Sequence, residues 1–148
     1  MGHALEKIRR LLKPDGVLID IHPTPEPSSI EVRIGGQTIP AGWLDESDDF
    51  AEYEAADDAL AQAAQRGWFV VERQDTFAFV TYADTVVELR NYVAEEWEEA
   101  RVDDVTAGRA EELLSTAQRD KEVILREPVR IARLRPALTA GPSFGAGV

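Results

Sequence analysis

The feature that most constrains this chain is a short amphipathic stretch stopped by proline and turned directly into an apolar run. Ala4, Leu5, Ile8, Leu11 and Leu12 recur at helical spacing. Lys13-Pro14-Asp15-Gly16 follows, and residues 17–21 are then apolar except for Asp20. Proline has a fixed φ and no amide donor, so it ends a helix, and Asp-Gly supplies the turn that lets the chain reverse into a strand. The N-terminus is therefore predicted as a helix–turn–strand unit. Many α/β proteins use the same connection.

From His22 to Ser29 the prolines at 23, 25 and 27 exclude helix and interior strand, which predicts a stiff surface loop. Ile30, Val32 and Ile34 alternate with Glu31 and Arg33, Gly35-Gly36 follows, and residues 37–41 extend again. Two glycines between extended runs predict a hairpin, because both central residues can take positive φ. Trp43 and Leu44 close that unit. A helix is predicted over 48–65, where Phe50, Tyr53, Leu60 and Ala64 share a stripe and Gly67 sits where it would end. Residues 67–71 and 76–82 form a β-rich stretch in two parts, apolar at both parities, which predicts cover on both faces. A helix through residue 100, capped by Asp84 or Thr85, carries Val86, Leu89, Val93 and Trp97. Another over 106–119 carries Ala110, Leu113, Leu114 and Ala117. The last strand, 122–135, contains Pro128, which predicts a bend or break and leaves 129–134 as its regular part. One domain over 1–136 is expected. Residues 137–148, small and uncharged with Phe144 their one large aromatic, are expected to be a disordered tail.

Composition narrows the chemistry. With no cysteine the chain has no disulfide, thiolate zinc site or cysteine nucleophile, and only His3 and His22 offer imidazole. A formal charge of -12 argues against nucleic acid, whose binding depends on Lys and Arg replacing counterions. No run is long and apolar enough to cross a bilayer and no secretory leader pattern opens the chain, so no membrane partner and a cytoplasmic location are expected. The acid is concentrated at 45–58 and 95–104. Its spacing reads as solvated helix faces, it matches no calcium loop, and no metal site is expected. Trp43, Trp68 and Trp97 read as core or interface anchors. Arg126, Arg130, Arg133 and Arg135 form the one basic cluster, suited to pairing with carboxylates of this molecule or a partner, or to holding an anion.

Arg9-Arg10-Leu11-Leu12-Lys13-Pro14-Asp15-Gly16 and the strand behind it resemble the late part of a class I S-adenosylmethionine-dependent methyltransferase. In that family a helix ends at a sequence like R-x-L-K-P-G-G and feeds the fifth strand; Asp15 replaces a glycine usual there. The fifth strand is followed by a helix and then two strands, the last inserted antiparallel beside the fifth. By order of elements the resemblance covers about 4–136, and by motif only 9–21. It implies an α+β fold with a mixed, partly antiparallel sheet, like the C-terminal part of a Rossmann-like methyltransferase. It also implies a cofactor half upstream, with a glycine-rich loop and an acid for the ribose hydroxyls, where this chain has a dozen residues. No Gly-x-Gly-x-Gly occurs: Gly35 and Gly36 lie in the hairpin, and Gly141, Gly145 and Gly147 lie in the tail. S-adenosylmethionine is thus implied by the resemblance alone, and none is expected to bind this chain by itself.

Asp20, His22 and Glu26 come at the carboxyl end of the first strand, the edge where open α/β sheets bind ligands. Histidine titrates near neutral pH, so such a group could include a general base; a solvated histidine beside a proline-rich loop is the plainer alternative. With Trp43 they mark the edge of a candidate ligand site. Ser28-Ser29 lacks a glycine elbow and Ser115 sits on a helix face, so no nucleophile or other catalytic residue is named. The expectation is a truncated methyltransferase-like domain without its own cofactor site, acting as an oligomeric or partner-binding module. The alternative is the C-terminal part of an active methyltransferase of unknown small-molecule substrate, its other half missing or separately encoded. A third reading is a small-molecule binding protein with the hairpin and the Trp43 region as its cup. A homo-oligomer or a complementary chain is expected because the apolar run at 17–21 needs a neighbour.

Overall fold

The structure, a computed structural model, describes residues 2–46 and 49–138. The tail expected over 137–148 lies outside the described residues from 139 onward. In chain order the elements are α1 (Gly2–Leu11), β1 (Leu18–Pro23), β2 (Ser29–Ile34), β3 (Gln37–Trp43), α2 (Phe50–Gln65), β4 (Phe69–Ala83), α3 (Val86–Glu96), α4 (Asp104–Leu114) and β5 (Lys121–Pro136). The fold is α+β, with one open five-stranded sheet. Every pairing between the described strands is antiparallel, where a mixed sheet was expected.

The last strand organises the sheet. β4 pairs with β5 along nearly its whole length, while on the other side β1 takes the C-terminal half of β5 and β2 the N-terminal half. β3 pairs with β2. β1 and β4 therefore run parallel to each other with β5 reversed between them. Pro128 does not interrupt β5, contrary to one of the two sequence expectations: the strand runs from Lys121 to Pro136 and its register with β4 is unbroken there. The proline falls where β1 hands over to β2: the β1 partners stop at Val129 and the β2 partners begin at Arg126. The carbonyl of Pro128 accepts from Thr24 N (3.0 Å) on this side. A residue's amide and carbonyl share a side in a strand, so the missing donor faces the gap and costs the β4 ladder nothing.

β4 also corrects the sequence reading. It is one long strand, as expected, with a bulge between Val71 and Arg73 that absorbs Glu72, but its cover differs. It pairs with β5 alone among the described strands, and its middle is exposed rather than covered on both faces. Local chemistry elsewhere acts as read. Gly35 (φ 53°) and Gly36 (φ 84°) make the hairpin turn, and Gly16 N donates to Lys13 O (2.9 Å) in the Pro-Asp turn. Thr85 caps α3 by accepting from Glu88 N, and Asp103 caps α4 by accepting from Thr106 N. These helices end at Glu96 and Leu114, short of the predicted 100 and 119.

Two apolar clusters sit on opposite faces of the sheet. Leu5, Leu60, Ala63, Phe69, Ala132 and Leu134 join α1 and α2 to the first face. Ile30, Val32, Leu89, Val93, Val123 and Leu125 join α3 and α4 to the second. The β5 contributors have opposite parity, and successive strand residues point to opposite faces. The helices thus cover opposite ends of opposite faces. The first face is left open around β2 and β3, and the second around β1.

Candidate functional site

The open end of the first face carries a cavity of about 550 Å³. Alternation along the strands decides what faces it. Ser29 and Glu31 of β2, Trp43 and Pro40 of β3, and Arg126 and Pro128 of β5 share this face through their cross-strand register. Thr76 and Ala78 continue it on β4. The proline-rich loop forms one wall, through Thr24, Glu26 and Pro27. Trp43 is 59% exposed, so this tryptophan is a surface of the cavity and not a core anchor. Arg126 donates to Glu31 Oε2 (3.2 Å), which fixes both side chains on the floor. The Thr24 hydroxyl is buried and has no hydrogen-bond partner among the described residues.

Asp20 and His22 lie two residues apart on β1 and so on one face. His22 Nδ1 lies 2.5 Å from Asp20 Oδ2, and His22 Nε2 lies 2.8 Å from Asp57 Oδ1, on α2. Arg130 Nη1 donates to the same Asp57 oxygen (2.6 Å). Each ring nitrogen thus faces a carboxylate oxygen. With both nitrogens engaged and the ring buried, His22 joins β1 to α2 through Asp57, and Arg130 extends the network to β5. Asp57 and Arg130 also line a small adjacent cavity of about 100 Å³ against Leu60 and Gln74.

The four residues named from sequence therefore divide. Asp20 and His22 belong to the half-buried network around Asp57; Glu26 and Trp43 line the cavity, one on its loop wall and one on its floor. Asp57 was missed because its partner is 35 residues away, although it sits beside Ala56 at the edge of the buried stripe of α2. The basic cluster resolves into ion pairs within the molecule: Arg126 with Glu31, Arg130 with Asp57, and Arg133 and Arg135 with Glu72.

Glu127, between two cavity residues, points to the opposite face and is buried with one carboxylate oxygen unbonded among the described residues. Burial, and then the Glu46 carboxylate, push its pKa up to about 7. Glu46 is itself buried and accepts from Ser28 N (3.0 Å), which pins the end of the proline-rich loop. Burial, together with Glu46, Asp49, Glu127 and Glu52, pushes the Tyr53 hydroxyl up to about 12. Among the described residues no group of three or more His, Cys, Asp or Glu side chains converges as metal donors, and no helix is long and apolar enough to cross a membrane.

No protein-family model, curated protein or solved structure matches the chain.

Proposed function

We propose that this chain is a methyltransferase-like sheet unit that works by association, joining a second copy of itself through β1. The observation that carries the reading is the state of that strand. β1 has β5 as its one partner among the described strands, and Ile19 and Ile21 are 50% and 58% exposed on the open second face. Ile131 and the aliphatic part of Arg133 extend the patch across β5. Unpaired strand edges with apolar flanks are templates for another strand. A second copy suits the edge because antiparallel pairing about a two-fold would continue an all-antiparallel sheet.

The methyltransferase-like part of the reading is supported by element order. β1, then α2, then β4, with β5 reversed between the two strands, is the arrangement that the Leu12-Lys13-Pro14-Asp15-Gly16 resemblance implies. The alternative, the C-terminal part of an active methyltransferase, is favoured by the cavity beside the carboxyl end of β1.

Light scattering across a dilution series of the full chain tests the association. A dimer is expected, with an Ile19→Lys/Ile21→Lys variant monomeric and unchanged in circular dichroism, since both sites are already half exposed. A wild-type chain that is monomeric throughout, or a double variant that still dimerises, overturns the reading. Calorimetric titration with S-adenosylmethionine addresses the alternative: no saturable heat is expected, and a saturable site supports an active methyltransferase instead.

A further inference from the structure

The geometry points to the first-face cavity as a binding site for a small organic cation, an ammonium or guanidinium group carried on an apolar body. At about 550 Å³ the cavity has the size of a small-molecule site. Its charges do not cancel. Arg126 is neutralised by Glu31, which leaves Glu26 as a carboxylate with no ion-pair partner among the described residues. The complement to that remainder is a single positive charge, and the formal charge of -12 favours approach of a cation over an anion.

Trp43 supplies the second element. An exposed indole on a sheet floor is the best aromatic partner for a cation, and it takes an apolar body equally well. Pro27, Pro40 and Pro128 add rigid apolar surface around it.

The test is titration of the full chain with phenethylammonium, followed by calorimetry and by amide shifts in heteronuclear NMR. One saturable site is expected, with shifts centred on Trp43 and the 24–27 loop. Glu26→Gln should weaken it at least about fivefold and Trp43→Ala at least about tenfold. Both residues are exposed, so neither change threatens the fold. 2-Phenylethanol and 3-phenylpropionate, which keep the ring and replace the cation with a neutral or an anionic group, should bind at least about tenfold more weakly. No saturation by phenethylammonium, equal binding of the alcohol, or indifference to both substitutions overturns the assignment. The outcome is independent of the dimer, because association is read by light scattering at the opposite face.

Discussion

Gly42 shows how closely one residue can bind a strand to a helix. A Cβ there would lie 2.4 Å from Thr106 Oγ1 and 2.8 Å from its Cγ2, and Thr106 is buried in the first turn of α4 with its hydroxyl bonded to Asp103. Gly42→Ala is therefore expected to lower stability by about 1–3 kcal/mol through overpacking. Thr106→Ala in the same background should recover part of the loss; chemical denaturation of the two variants measures this, and a Gly42→Ala chain as stable as wild type would contradict the close approach. Glu127 makes stability depend on pH. Its folded pKa of about 7 lies above the ordinary glutamate value of 4.5, so between these pH values the folded chain keeps a proton that the unfolded chain has released. The associated stability is whole below the lower value and lost as pH rises through the upper one. Glu127→Gln, neutral throughout, should match wild type near the bottom of this window and exceed it by about 1–2 kcal/mol above the top. Parallel urea midpoints for the two chains at both ends would refute the assignment.

Among the elements, those decided by local chemistry were legible in the sequence. Pro14-Asp15-Gly16 stops α1 and launches β1, Gly35-Gly36 turns β2 into β3, and Thr85 caps α3, because each depends on a few adjacent residues. Features decided at a distance were not. Pro128 reads as a breaker until the gap between β1 and β2 is known, and only then is its lost donor harmless. Val70, Val71, Phe77 and Phe79 read as a buried strand, yet they are exposed on β4, since apolar content does not reveal how many neighbours a strand has. The site divides in the same way. The i, i+2 spacing of Asp20 and His22 placed them on one face of β1, whereas Asp57 and Arg130 reach them from α2 and from the last strand. Glu26 and Trp43 meet in one cavity only because the hairpin folds back beside the proline-rich loop.

At the scale of the whole molecule, two cores on opposite faces share one strand. Leu134 is fully buried against α1 and α2, and Leu125 against α3 and α4, both from β5. Loss of either should therefore reach the entire structure. Leu134→Ala and Leu125→Ala are each expected to cost about 2–5 kcal/mol and to shift one shared unfolding transition. Two separate transitions, one for each cluster, would show that β5 does not couple them. The same strand also sets an order in time. Of the four ladders in the sheet, only β2 with β3 forms without β5, and Leu18 must wait for Leu134. Before residue 121 is made, β1 and β4 are therefore without their final neighbour, while the β2–β3 hairpin and the α4 helix packed on it can already form. Synthesis of this molecule is then a long exposure followed by a late closure, and its yield in a cell should depend on whatever shelters β1 and β4 during that interval.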